Sequence, residues 1–570
     1  MKIWIIWNAM ISIIQMLAFF WLIRTMKFVL FWIYLWQLKE YHVGRFLDHF
    51  NTYKGKKLLF GNLPIFKFIL LFFLLTNHYY FPLVFYILLL DYITESTLFI
   101  INILRKNLKI PKFTFKTLFL VLISFILTAL FLSKAYNLSP QGGAPFAGKE
   151  SFSFTFSILV FDIFIPLIIS FIVLFFQPFF VLTRNRILKK AKEKIKKFPN
   201  LIIIGITGSY GKTSTKEFLA TILASKFNVL STKDHQNSEI GIAKCILNDL
   251  NKNHQIFVVE MGSYKKGGIS LLCDIVKPKI GIVTGVNEQH LALFGSMENL
   301  LSAEGGRELL KSLPKNGMIV VNGDNKYCLN LYKLTEIKKR VYTLHKDKID
   351  SDIWTEDIVV EKKSISFIAM TREKSRWQDY RGSSMESGEM AHFDINILGK
   401  QNAQNILGAI LVAKELGMSL EEIALACKNI TQKQAGITIK NGVHGIDIID
   451  SSYSSNPDGV MADLDYLNIF PQKKIIVMPC LIELDNESDE IHREIGKKIA
   501  EVCDMVIITT KEKFEEIKSR AMTGGMPQDN IKFSENPKEI FNIVTTFCKS
   551  GDAVLLEGRV PHELIRLLMR

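Results

Sequence analysis

The stretch GITGSYGKTST, Gly205–Thr215, decides how the second half of this chain is read. Before it, Leu201–Thr207 is a short apolar run rich in β-branched residues, which predicts a buried parallel strand. After it, Lys216–Leu223 predicts a helix. A loop in that setting turns its backbone N–H groups toward phosphate oxygens, with a helix N-terminus behind them. Thr207, Gly208, Ser209, Tyr210, Gly211, Lys212, Thr213 and Ser214 form the expected cradle for ATP. Lys212 is placed to meet the β and γ phosphates, and the Thr213 hydroxyl to reach Mg²⁺. The strict pattern GxxxxGK[ST] needs glycine where this chain has Ile206; its loop is TGSxGKTS.

Upstream of the loop the composition changes. The chain has 570 residues, enough for two to four domains. Residues 1–182 are crowded with Phe, Leu and Ile, and the remainder has the composition of a soluble α/β protein. A membrane-crossing helix takes about 20 apolar residues. Ile3–Ile23, Leu63–Tyr80, Phe81–Ile103, Thr117–Ala135 and Ser153–Leu182 qualify as five spans. Phe28–Trp36 is too short to cross alone and is expected at the interface, with Trp32, Tyr34 and Trp36 at headgroup depth. Gln37–Phe50 is expected to lie on the membrane as an amphipathic helix.

The formal charge of +15 invites a nucleic-acid reading, but its placement excludes it. Much of the charge flanks apolar runs, where Lys and Arg orient helices. Lys39–Lys57 and Arg105–Lys116 are basic, and Arg184–Lys197 carries eight positive charges against one glutamate. Ser133–Ser151 carries only Lys134 and Lys149. With the basic segments inside, the N-terminus is outside and the phosphate loop faces the cytosol. The expectation is a multi-pass protein of the cell (inner) membrane with a cytoplasmic nucleotide-binding half. Asp91, Glu95 and Asp162 lie inside spans; they are read either as a headgroup or ion path or as hydrated groups near an interface. The seven cysteines all lie beyond residue 240 and form no CxxC, which fits free thiols in a reducing cytosol.

Further motifs follow the loop in order: NSEIG (Asn237–Gly241), VVEMGS (Val258–Ser263), EQHLALFGS (Glu288–Ser296), VVNGD (Val320–Asp324), LGKQNAQNILGA (Leu398–Ala409), IIDSSYSSNPDGV (Ile448–Val460) and HREIG (His492–Gly496). With TGxxGKT[ST], this series resembles the Mur ligases, ATP-dependent amide-bond formers of cell-wall synthesis. The subgroup it is most similar to adds D-alanyl-D-alanine to a muramoyl tripeptide. The resemblance covers residues 199–570 and implies a cell-wall precursor and an amino acid or dipeptide as substrates.

The resemblance assigns roles residue by residue. Glu260 and His290 match the metal-linked glutamate and histidine, and Asn402 and Asn405 the NxxN of the adenine site. Asn237, Ser238 and Glu239, with Tyr453 and Asn456, match substrate-facing segments. The family usually carries a carbamylated lysine downstream of FGS; that position falls on Glu304, whose own carboxylate supplies the same charge. Lys212, Glu260, His290 and Glu304 are therefore the expected catalytic set, and Thr213, Glu260, His290 and Glu304 the expected metal set. Ser451 stands where the family often has a ribose-binding aspartate, with Asp450 beside it. Gly285 replaces a common asparagine, and Gln432–Gly442 lacks an arginine that often contacts phosphate.

The expected architecture is an all-α membrane bundle with a basic linker (1–198), a central P-loop α/β domain (199–436) and a Rossmann-like C-terminal domain (437–570). In the last, Lys474–Met478 and Met505–Thr509 predict parallel strands flanking a helix over Glu487–Glu501. His492 and Arg493 are expected at its surface. In soluble relatives of this subgroup an N-terminal domain grips the UDP moiety; here a membrane bundle stands in its place, which points to a lipid-linked or membrane-proximal acid substrate. An ATP-driven transporter or flippase and a non-catalytic nucleotide-binding scaffold are the competing readings.

Overall fold

In a computed structural model the described residues are 2–39, 41–76, 78–105, 108–137, 149–233, 236–346, 349–372, 388–453 and 456–569. Most of the expected loop Ser133–Ser151 lies outside them, as do Ser454 and Ser455 of the SSYSS motif. The chain forms two compact units, Met1–Thr183 and Arg184–Arg570.

Among the described residues, five helical segments of the first unit are long and apolar enough to cross a membrane: Ile13–Leu38, Gly55–Thr76, Phe81–Leu104, Phe115–Ala135 and Phe152–Phe175. The number agrees with the sequence reading, but the first, second and fifth segments differ from the expected bounds, the first most. Lys2–Leu38 is one helix, so Phe28–Trp36 is a continuation of it and not a separate interfacial piece. No Pro or Gly interrupts that run. Trp32 and Trp36 are buried, and the Trp36 ring stacks on Phe46 at 3.9 Å. The expected amphipathic helix over Gln37–Phe50 is also corrected. Tyr41 has φ of +58°, which breaks helical continuity. The long helix ends at Leu38 and a separate short helix, Val43–Asp48, follows, capped by the His42 side chain and carrying Phe46 back under Trp36.

The three intramembrane acids do not stand alone. Arg24 pairs with Glu95 and Asp162. The Lys67 ammonium lies 2.9 Å from Glu95, 2.9 Å from Asp162 and 3.4 Å from Asp91. Arg24, Lys67, Glu95 and Asp162 are all buried. Carboxylates in apolar surroundings are tolerated when cations and hydrogen bonds compensate them. Sequence reading counted the acids and passed over Arg24 and Lys67, which sit in long apolar runs as single charges.

The second unit contains two sheets. Nine strands take the order β2 (Val229–Ser231), β3 (Ile256–Glu260), β1 (Ile202–Thr207), β4 (Ile280–Val283), β5 (Met318–Asn322), β6 (Lys338–Thr343), β7 (Ile353–Val360), β8 (Ile365–Thr371) and β9 (Met390–Ile395). Pairing is parallel from β2 through β7 and antiparallel from β7 to β9. The central strands β1, β3, β4 and β5 are almost wholly buried, as a parallel sheet covered on both faces requires. The second sheet runs β10 (Thr438–Asn441), β11 (Asp447–Ser451), β15 (Ala553–Glu557), β12 (Lys474–Met478), β13 (Met505–Ile508), β14 (Ile531–Phe533), parallel except for β10. Its predicted elements β12, β13 and the helix Ser488–Val502 are all present.

His492 corrects a surface assignment. It is fully buried, and its Nε2 accepts the Leu481 N–H at 2.9 Å. It lies on the inner face of a strongly amphipathic helix while Arg493, one residue on, is exposed.

Removing Lys67 leaves three carboxylates facing one guanidinium. Lys67→Met is expected to destabilise the membrane unit by about 3–5 kcal/mol, and the exposed Lys57→Met by less than about 0.5 kcal/mol. Thermal unfolding of the full chain in detergent checks both.

Candidate functional site

The predicted strand ends at Thr207, and the helix begins at Lys212, one turn earlier than its apolar pattern suggested. Gly211 makes the junction: its φ is +75°, and a Cβ there would stand 2.2 Å from Asn405 Oδ1. The loop is therefore held against the NxxN helix Lys400–Glu415. Asn405 donates to Asn402 Oδ1 at 3.2 Å, Asn402 donates to the Leu398 carbonyl at 2.8 Å, and the Thr215 hydroxyl donates to the Asn405 carbonyl at 3.3 Å. On its other side the loop is clamped to the end of β4. Ser209 N–H donates to the Gly285 carbonyl at 2.7 Å, and the Thr284 hydroxyl donates to the Tyr210 carbonyl. Lys212 curls back over the loop and donates to the carbonyls of Gly208 and, at 3.1 Å, Ser209. Thr213 occupies the first helical turn, half-buried; the Ser214 hydroxyl donates to the Ala435 carbonyl at 3.3 Å.

Gly285 has a steric reason. A Cβ at that position would meet the Tyr210 ring at 2.2 Å. Tyr210 thus fills the space that a side chain at 285 would take, and its hydroxyl accepts from Asn325 at 3.3 Å. The glycine and the tyrosine are two halves of one packing solution.

Glu304 is brought to the centre of the site. It is buried at the end of the short helix Met297–Ala303. One carboxylate oxygen accepts from the Ser209 hydroxyl at 2.8 Å, and the other lies 2.9 Å from His290 Nδ1. Burial pushes its pKa up, but His290 and Lys212, with hydrogen bonds from His290 and Ser209, outweigh this and hold it below the ordinary 4.5. Glu260 ends β3, buried, with Oε1 accepting from Asn237 at 3.1 Å and Oε2 3.5 Å from the Lys216 ammonium. Its Oε2 makes no hydrogen bond. Lys216 is fully buried one turn beyond Lys212, and the sequence reading missed it. The i, i+4 spacing of the two lysines was its only signal.

The remaining expected residues separate. Ser238 caps the helix Glu239–Asn248, and Glu239 pairs with Arg184 at 3.0 Å. Asn456 caps the helix Pro457–Leu467 and accepts from Asn287 at 3.1 Å; Asn287 also donates to Asp458 at 2.8 Å. Tyr453 is half-exposed. Asp450 accepts from the Ser452 N–H and hydroxyl, so it is held by its own turn. The Ser451 hydroxyl donates to Asp463, which also accepts from Gln401 at 2.8 Å and lies beside buried Glu557. Burial raises the pKa of both Asp463 and Glu557. Sequence reading missed this pair because its members are about a hundred residues apart.

The site fits a nucleotide and a hard divalent cation. Loop N–H groups open a helix N-terminus, a lysine lies over them, and a buried carboxylate oxygen at Glu260 has no hydrogen bond. Among the described residues no group of three or more His, Cys, Asp or Glu side chains converges. Mg²⁺ needs no such cluster, since it binds through one or two carboxylates, phosphate oxygens and water.

Residues 206–413 match the Mur ligase middle domain, and residues 437–560 the Mur ligase glutamate ligase domain. The chain belongs to the Mur ligase family. It is thereby an ATP-dependent, Mg²⁺-using amide-bond ligase. Among curated relatives it is 27% identical over 368 residues to the UDP-N-acetylmuramoyl-tripeptide–D-alanyl-D-alanine ligase of Synechocystis, covering 62% of this chain and 71% of that one. The Bacillus subtilis protein of the same name is 25% identical, covering 64% and 76%. Among solved structures, MurF from Acinetobacter baumannii aligns with a TM-score of 0.57 at 21% identity, over 68% of this chain and 80% of that one. MurF from Thermotoga maritima in complex with ADP aligns at 0.55 and 24%, over 67% and 83%. These structures show that the Mur ligase fold is shared.

Two outcomes test the site's packing and charge. Gly285→Asn is expected to cost about 1–3 kcal/mol, and the double variant with Tyr210→Ser to cost less than the sum of the singles, in a double-mutant cycle of urea unfolding. Because Glu304 has a lowered folded pKa, its carboxylate adds stability above pH 4.5 that is lost as pH falls through the folded value. Glu304→Gln is expected to flatten that acid limb, measured by urea unfolding between about pH 3 and about pH 6.

Proposed function

We propose that this Mur ligase is anchored by five membrane crossings, N-terminus outside, and joins a muramoyl-type peptide acid to an amino acid or dipeptide at the cytoplasmic face. D-alanyl-D-alanine is the amine suggested by the relatives' names. The acid is carried on a membrane lipid. The basic segments flanking the apolar helices support the orientation. The family matches begin at residue 206, so the unit Met1–Thr183 lies outside them and stands where a soluble carrier would otherwise be gripped.

The observation that carries the catalytic reading is Glu304 joining Ser209 of the phosphate loop to His290. The substrate carboxylate attacks the γ-phosphorus of ATP, ADP leaves, and an acyl phosphate forms. The amine then attacks the acyl carbon, phosphate departs, and the ammonium proton passes to solvent. Lys212 and the loop N–H groups hold the transferring group and offset its charge. Mg²⁺, when bound, neutralises phosphate charge; Thr213 and Glu260 are the residues to hold one ion, and His290 with Glu304 a second. Glu304 takes the role of the carbamylated lysine without needing carbon dioxide. Asn402 and Asn405 line the adenine side, and Asn237, held on Glu260, faces the acid substrate.

The test is ADP release by the full chain in nanodiscs with D-alanyl-D-alanine and either a lipid-linked or a UDP-linked muramoyl peptide. Turnover is expected with the lipid-linked acid, and Lys212→Ala is expected to lower it by about 10³-fold. Turnover confined to the UDP-linked acid overturns the lipid reading. Bicarbonate-free buffer is expected to leave the rate unchanged, and Glu304→Lys to make it bicarbonate-dependent.

A further inference from the structure

The helical segments Ile13–Leu38 and Phe81–Leu104, with residues 108–110, line a half-open pocket of about 200 Å³. Phe28, Phe31 and Phe99 form aromatic walls, and Lys27, Asn102 and Lys109 supply the polar lining. Lys27 is half-buried and Lys109 exposed. Neither lysine, nor Asn102, has a hydrogen-bond or ion-pair partner among the described residues. The contrast with the neighbouring cations decides the reading. Arg24, one turn before Lys27, and Lys67 are both consumed by the buried carboxylates. Among the described residues the Lys27 ammonium is in no ion pair: it lies 5.6 Å from the Phe28 ring and feels the Glu95 carboxylate only through space.

A lysine within an apolar span that no carboxylate contacts is expected to reach water or an anion. Two ammonium groups and an amide donor at an aromatic-walled pocket suit a phosphate ester whose hydrocarbon chain continues along the bundle. Phosphate oxygens placed there would meet Lys27, Lys109 and the Asn102 amide, with the first methylenes on the phenylalanine rings. Soluble anions such as free phosphate would leave those rings facing water.

We propose that this pocket binds the phosphate of an anionic lipid. Two sources share that chemistry, a bulk anionic glycerophospholipid and a polyprenyl phosphate. Placement in the cytosolic leaflet rests on the orientation proposed above; the lipid phosphate itself does not.

The test is native mass spectrometry of the full chain released from phosphatidylcholine nanodiscs doped with phosphatidylglycerol or with polyprenyl phosphate. One doped lipid is expected to stay bound. Retention falls roughly tenfold or more in the Lys27→Gln/Lys109→Gln variant, and stays level in Lys134→Gln. Asn102→Trp, which fills the pocket and keeps both lysines, loses the lipid to a similar extent. Equal retention of both lipids identifies the bulk source, and preference for polyprenyl phosphate the isoprenoid one. Retention no greater than that of phosphatidylcholine, or undiminished in the double-lysine variant, overturns the proposal. Lys212→Ala retains the lipid while losing ligation, so a failed pocket and a failed ligase are told apart.

Discussion

A short row of backbone N–H groups from Tyr210 to Thr213 must stay fixed and open, and the nucleotide-binding half is arranged around that constraint. Such groups bind anions only while the backbone cannot relax onto its own carbonyls. Three contacts prevent relaxation. Ser209 N–H is tied to Gly285, the Tyr210 carbonyl to Thr284, and the Ser209 side chain to Glu304. The NxxN helix closes the remaining side, so close to Gly211 that no side chain fits between them. The parallel order β3-β1-β4 places all these partners at one end of the sheet.

Glu304 illustrates how burial and function combine. A buried carboxylate is costly unless charge and hydrogen bonds repay its lost hydration. Here Ser209, His290 and Lys212 do so. The membrane unit meets the same physical problem differently. Arg24 and Lys67 saturate three carboxylates with one another, which welds helices together. Lys27, one turn beyond Arg24, makes no ion pair in that network among the described residues and feels Glu95 only through space.

Polar contacts also join the two sheets of the second unit. Asn287 reaches Asn456 and Asp458, and Gln401 reaches Asp463 beside buried Glu557. Ser451, expected at the ribose, spends its hydroxyl on Asp463. Residues that the motif series marks as substrate-facing, such as Ser238 and Asn456, act as helix caps, because Ser and Asn satisfy free N–H groups at helix starts.

The sequence by itself determined the strand–loop–helix at Gly205–Thr215, the apolar helices and the parallel strands β12 and β13. These depend on local pattern, turn chemistry and run length, which a linear reading sees. It also singled out Glu304 as a carboxylate at the lysine position. The tertiary structure alone decided which side chains meet: Glu304 with Ser209 and His290, Tyr210 with the space at Gly285, Asp463 with Glu557, and Arg24 and Lys67 with acids on other helices. It also turned His492 inward and carried the first helix through Trp36. Each of these depends on burial and on partners far away in the chain, and pattern does not encode distance between segments that only folding brings together.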